Sequence, residues 1–486
     1  MPKFVLLWTD VALFAIILTV LVYIWRVRRS PTRRATWARV LHNTPAMCSA
    51  LVLGMFIIVG VLDSIHFRPQ LPPVADAPAG TPVAYAPFTE SVLDVILEHT
   101  IPGAERTWSA PLAWRQFTKE TELIEGVAIR GFPRLAYGGA HLDEPETQWL
   151  GDVLRRGGAG LAAGLGIALL IVAACIALLA RQWSLDLRVA WHDIRAGVTK
   201  VPWRAMFVTL CLLGGVIGVV AGLATGYHVL GTDRTGNDVL IQSLKSIRTA
   251  LVIGSLTTIA MLPFALSFGL AAGYFKGWVD DLIQYLYTTL TSIPGILLIA
   301  AAVLMLQVYI DTHPDDYATA AERADLRLFM LCMILGVTGW AGLCRLLRAE
   351  ALKLRELEYV QAARAFGVGH GRIILRHLLP NVMHIVLITA VLEFSSLVLF
   401  EAVLSYLGVG VDPSMNSFGS MIDMARTEMS RDPMVWWSLL SAFVFMLALV
   451  LSANLFADAV RDAFDPHASQ WSLRRRKHRV RSGGQA

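Results

Sequence analysis

What a chain can fold into is limited first by its longest apolar runs. Here nine stretches, near 5–26, 46–64, 158–180, 205–227, 251–272, 284–308, 327–344, 382–404 and 434–456, are long enough, or nearly so, to cross a bilayer. A spanning helix needs about 20 apolar residues for a hydrocarbon core roughly 30 Å thick. Composition agrees: 55% of the 486 residues are hydrophobic and only 16% are charged, where a soluble domain carries about 25% charged residues. The expected fold class is all-α, a polytopic helical membrane protein. The first run, VLLWTDVALFAIILTVLVYIW, exceeds a signal-peptide core and no small-residue cleavage site follows it, so it reads as a retained helix.

Charge sets the expected orientation, because Lys and Arg in short loops mark the cytoplasmic side. RVRRSPTRRATWAR, between the first two runs, carries six arginines and no acid. The stretches 181–204 and 345–377 and the tail RRRKHRVR are also net basic, whereas acids outnumber bases in 65–152. Alternating spans then place 65–152 and the N-terminus outside and the C-terminus in the cytoplasm. The net charge of +5 follows from that topology, and the basic tail reads as an anchor on lipid headgroups rather than a nucleic-acid binder. The five cysteines, Cys48, Cys175, Cys211, Cys332 and Cys344, lie in or beside apolar runs without CxxC spacing and read as small buried hydrophobes.

The chain divides into two N-terminal helices (1–64), an external segment (65–156), a helix with its connector (157–204), a six-helix core (205–467) and a basic tail (468–486). Within the external segment TESVLDVILEHTI suggests an amphipathic helix, and the Pro/Ala-rich stretch 70–87 a linker.

The most unusual polar stretch is EYVQAARAFGVGHGRIILRHLLPN, residues 358–381. Apolar positions Leu354, Leu357, Val360, Ala363 and Phe366 recur at helical spacing. Gly367 and Gly369 interrupt that helix, since glycine enters the left-handed region at little cost, and a second short helix ends at Pro380, where the next span begins. The expectation is a helix–turn–helix over 349–380 that exposes Glu358, Gln361 and Arg364.

This stretch resembles the loop of binding-protein-dependent ABC importer permeases, with the pattern Glu-Ala-Ala, three residues, Gly, nine residues, Ile-x-Leu-Pro. Gln361, Ala362, Ala363, Gly367, Leu379 and Pro380 occupy its positions; Gln361 replaces the glutamate and His377 the isoleucine. GTDRTGND (231–238) is similar to an external signature of the C-type subunit of dipeptide and oligopeptide importers, with Gly231, Thr232, Asp233, Gly236 and Asp238 in register. LSYLGVGVDPSMNSFGSMI (404–422) and NLFADAVRDAFDPH (454–467) resemble two further motifs of that branch. The likeness covers about 228–467. It implies a type I ABC importer permease fold with extra N-terminal helices and a small external segment, in a bacterial inner membrane. It also implies a homologous second permease, two cytoplasmic ATPases carrying ATP and Mg, and an external solute-binding protein. The implied cargo is a short peptide, with nickel complexes and antimicrobial peptides as alternatives.

Within the span 382–404, Thr389, Glu393 and Ser396 share one helix face. A carboxylate at that depth is costly, so the face either lines a pathway or bonds to a neighbouring subunit. Pro263 and Pro294 lie inside spans and either kink them to shape a cavity or are merely tolerated. Asp233, Asn237 and Asp238 lack the further oxygen donors and distal glutamate of an EF-hand loop, and Asp238 reads as a helix cap. No metal site is expected. Nothing matches GxxxxGK[ST], so the chain is expected to be no enzyme and to bind no cofactor itself. An ion-coupled secondary transporter would show inverted repeats and several intramembrane ionisable residues; no repeat is evident, and Glu393 stands nearly alone.

Overall fold

In the computed structural model the described residues are 3–71, 85–98, 103–124, 127–314, 317 and 319–464. The basic tail 468–486, most of the linker 70–87 and the last three residues of the 454–467 motif lie outside them.

Strand β1 (Lys3–Val5) leads into α1 (Trp8–Arg29), α2 (Pro31–Leu41) and α3 (Thr44–Asp63), followed by β2 (His66–Arg68). β1 and β2 pair antiparallel with Phe4 opposite Phe67, which brings the start of α1 and the end of α3 to one face of the bundle. That face carries the segment between α3 and the next long helix and is called the cap face below. The cap contains β3 (Glu90–Ser91), which extends the sheet beside β2, and α4 (Val92–Leu97). Ser91 and Asp94 form a reciprocal capping box at the start of α4. This helix is shorter than the amphipathic run suggested. A hairpin of β4 (Glu120–Ile124) and β5 (Val127–Gly131) adds to the cap. These strands are the one departure from an all-helical chain among the described residues.

α5 (Pro145–Trp183) returns through the bundle, α6 (Leu187–Ala196) is short and amphipathic, and α7 (Trp203–Ala224) returns toward the cap. α5 and α7 meet through glycines spaced four apart. A Cβ at Gly164 would lie 2.1 Å from the Gly214 carbonyl oxygen, and one at Gly160 would lie 2.2 Å from that of Gly218. Without a hydrophobic drive in lipid, such small-residue faces let helix backbones pack closely.

α8 (Val239–Phe275) is the central helix, and all three large apolar clusters draw on it. Its first half is buried almost all round. Its polar residues there, including Gln242, Ser243, Ser246, Arg248 and Thr249, are covered by protein rather than facing water. Pro263 sits inside α8. Pro294, by contrast, separates α9 (Trp278–Ser292) from α10 (Gly295–Thr312), so the expected span 284–308 is two helices; proline's missing N–H and fixed φ favour a helix start over an interior site.

α11 (Ala320–Gly339) and α12 (Ala341–Arg355) meet at a 40° bend, so the expected run 327–344 is broken at Trp340. α13 (Glu358–Ala365) and α14 (His370–Ile373) follow, then a π turn (Ile374–Leu378), α15 (Leu379–Tyr406), α16 (Phe418–Glu428) and α17 (Trp437–Phe464). Among the described residues eight helices are long and apolar enough to cross a membrane, or nine if the bent pair counts as one span. Cys332 and Cys344 are buried, Cys48, Cys175 and Cys211 are half-buried, and all five are free.

Candidate functional site: an exposed helical loop and a polar helix face

The loop 349–380 projects from the face opposite the cap. One side of α13 is packed: Val360 is buried with Ala351, Ile373 and Leu378, and Leu354 and Ala363 lean on the same cluster. The other side exposes Glu358, Gln361, Ala362 and Arg364. Gly367 has φ +74°, and the Gly367 and Val368 amides donate back to Arg364 O and Ala363 O at 3.0 and 3.1 Å. This left-handed residue ends the helix; Gly369, with φ −59°, does not need its freedom. Phe366 departs from the expected apolar stripe: it lies just past the last turn of α13 and is 87% exposed.

Four links fix the loop and the helix leading into it to the bundle, one of them Arg355 Nη1 donating to Tyr274 O at 3.0 Å. Arg348 forks onto Asp280 at 2.5 and 2.7 Å, Lys276 pairs with Glu356 at 3.1 Å, and Tyr274 Oη lies 2.8 Å from His370 Nδ1. Gln361 Nε2 donates to the Glu356 carbonyl at 3.1 Å. A force applied to α13 is therefore passed to the ends of α8, α9 and α12. The second short helix does not stop at Pro380 as the sequence suggested. His370 to Tyr406 form one continuous helix, because the widened π turn before Pro380 relieves the clash between its ring and the carbonyl four residues earlier.

On α15, Thr389 and Glu393 are half-buried and Ser396 is exposed. Ser396 bonds within its own helix to Leu392 O at 3.3 Å, while the Thr389 and Glu393 side chains have no hydrogen-bond partner among the described residues. The fully enclosed carboxylate of α15 is instead Glu401, 2% exposed, which accepts from Ser405 Oγ at 2.6 Å. Glu393 is also not alone. Asp10, Arg248 and Asp325 are buried together, Arg248 lying 2.6 Å from Asp10 and 3.3 Å from Asp325. These groups come from three different stretches of chain, so no local pattern announces them. They cluster near the cap-face ends of α1, α8 and α11 and not at mid-depth.

On the cap face, the loop 231–238 is held by side chains of its own motif. Asp233 Oδ1 accepts from the Thr235 and Asn237 amides at 2.8 and 2.9 Å, which commits it to a turn. Asp238 caps α8 by accepting from the Leu240 and Ile241 amides. Gly231 and Gly236 have φ +74° and +80°, and a Cβ there would lie 2.5 Å from Ser109 O and 1.8 Å from Glu105 O. Thr232 Oγ1 donates to Thr107 O at 2.9 Å. The cap segment near 105–109 thus lies directly on the loop. His228 is clamped there, 2.7 Å from Asp238 and 3.4 Å from Glu105. Burial opposes the charged form of His228, but the two carboxylates outweigh it and raise its pKa to about 9. Burial also pushes the Glu105 carboxyl up, yet His228 and the amides of residues 136–138 hold it down at about 2. Sequence reading missed both residues, because Glu105 meets His228 and the 136–138 amides only through the fold.

Residues 265–470 match the family of the binding-protein-dependent transport system inner membrane component. The oligopeptide transport system permease protein OppC of Mycobacterium tuberculosis is 34% identical over 248 residues, covering 51% of this chain and 78% of that protein. The chain belongs to this permease family. It is a multi-pass inner-membrane transport subunit. The OppC protein of Haemophilus influenzae is 30% identical over 50% of this chain and 71% of its own length. The dipeptide transport system permease protein DppC of Alkalihalophilus pseudofirmus is 32% identical over 49% and 72%.

Proposed function

We propose that this permease is half of the translocation pathway of an ATP-driven importer for short peptides. The observation that carries the reading is the loop 349–380, a helical projection tied to three helices yet offering Glu358, Gln361, Arg364 and Phe366 outward. A loop so anchored is suited to receive a moving partner and to tilt spans as a rigid body. The energy comes from two ATPase subunits that carry ATP and Mg. A homologous second permease completes the pore, and an external solute-binding protein delivers cargo to the cap face. Thr389, Glu393 and Ser396 line the pathway, and the unpartnered Glu393 receives the ammonium of a peptide. The peptide cargo is that named in the relatives, OppC and DppC. The N-terminus and cap lie outside and the C-terminus in the cytoplasm.

The test is reconstitution. A tagged chain, purified from its native membrane, is expected to bring two ATPases and a second permease with it, and the complex in proteoliposomes to import a tripeptide only with ATP and the binding protein. Uptake that follows an imposed proton or sodium gradient and ignores ATP would overturn the reading in favour of ion coupling. Protease added to intact spheroplasts should cut within 65–152, and cutting only in inverted vesicles would reverse the orientation.

A further inference from the structure

The loop face carries a cavity that no transport role uses. It measures about 560 Å³ and lies where α3 begins, α6 ends and α7 begins. Its rim is polar and cationic, with His42, Thr44, Lys200 and Arg204. The inner wall is apolar, built from Cys48, Val201, Ala205 and Val208. No acid lines it, and among the described residues neither Lys200 nor Arg204 has an ion-pair or hydrogen-bond partner. Cys48 is one turn inside α3 and Val208 five residues inside α7, and Val208 is 54% exposed. The apolar wall therefore runs from the rim into the part of the bundle that faces lipid. α6 closes one side, burying Ala190 and Ile194 while exposing Trp191 and Arg195, the arrangement of a helix lying in the membrane interface.

We infer that this cavity is a binding site for an anionic phospholipid, with the headgroup phosphate between Lys200 and Arg204 and an acyl chain along Cys48, Ala205 and Val208. Two features favour a lipid over free phosphate. The site is amphipathic along its length, and it sits where two spanning helices enter the membrane. Basic pockets between spanning helices at that level suit anionic headgroups. An occupant there would bridge the N-terminal helices and the α5–α7 pair, since α3 packs on α7 and α8. The lipid would act as a strut between the added helices and the core.

The experiment uses the full chain with whatever subunits co-purify, delipidated in detergent. Phosphatidylglycerol or phosphatidylcholine is titrated in, and retained lipid is counted by native mass spectrometry. Retention of phosphatidylglycerol well above phosphatidylcholine is expected. Lys200→Gln with Arg204→Gln should weaken it roughly tenfold to thirtyfold, at about a factor of five per cation near the surface. Lys200→Arg with Arg204→Lys should keep it. Val208→Trp, which leaves every charge and fills the apolar wall, should also abolish retention and decides the matter if the double variant fails to assemble. Arg28→Gln with Arg34→Gln, on the same face but outside the cavity, should change nothing. Equal retention of the two lipids, an equal loss from the outside pair, or displacement by 10-fold excess inorganic phosphate would each overturn the site, the last by showing that a free ion suffices.

Discussion

Arg248 of the core helix α8 places Nη2 2.6 Å from Oδ1 of Asp10, the third residue of the first helix. The same guanidinium donates to Thr9 Oγ1 at 2.8 Å and, through Nε, to Ser64 Oγ at 3.2 Å. Thr9 in turn holds Asp325 of α11 through its amide and hydroxyl. His66 closes the network on Asp10 at 2.8 Å. One buried cation thus joins the N-terminal hairpin to the permease core.

Removing it should be costly. Arg248→Met leaves Asp325 buried without its counter-ion and Asp10 with only His66, and stranding buried charge costs about 3–5 kcal/mol. Asp10→Asn should cost less, because Asp325 still faces Arg248. Thermal unfolding of the detergent-solubilised protein reads both, and a wild-type midpoint for Arg248→Met would refute the role.

The exposed loop predicts a contact and a mechanical effect. Gln361→Cys should crosslink to an ATPase subunit in membranes; free labelling by a bulky thiol reagent in the assembled complex would refute docking. Gly367→Val forces a β-branched residue to φ +74°, at a cost of about 1–2 kcal/mol or more. It touches no span. ATP hydrolysis is expected to persist while uptake falls, and normal uptake would count against coupling through this turn.

Glu393→Gln keeps the shape of the side chain and loses its charge. If the carboxylate meets a peptide ammonium, a charged hydrogen bond of about 1.5–3 kcal/mol is lost, which is roughly a tenfold to hundredfold fall in uptake at limiting substrate. A purely structural role gives another pattern, with Gln tolerated and Glu393→Leu losing the partner permease on purification.

Docking of the cap should depend on pH. The raised pKa of His228, about 9, means that its contribution is complete below its ordinary value near 6.5 and is lost as pH rises through 9. Glu105, held at about 2, contributes above about 4.3 and loses its effect only as pH falls toward 2. The cap is therefore tightest between about pH 4.3 and 6.5. Proteolysis within 103–143 should quicken between pH 6.5 and 9, and His228→Gln should flatten that dependence. A profile unchanged by the substitution would remove His228 as its source.

Periodicity and composition by themselves determined that this is a helical membrane protein, where most spans lie, and that a structured polar loop, turning at Gly367, lies between two of them. Those features are local: an apolar run or a left-handed glycine acts on the residues beside it. Helix breaks were harder to read, because Pro294 starts a helix while Pro380 is absorbed by a π turn, and the surrounding register decides which. Phe366 continued an apolar spacing on paper, yet the turn beginning at Gly367 releases it from the packed face. Only the tertiary structure brought Asp10, Arg248 and Asp325 together, laid Glu105 on Gly236, and distinguished enclosed Glu401 from half-open Glu393. Each of those depends on groups far apart in the chain, whose costs of burial are met by one another and not by their neighbours in sequence.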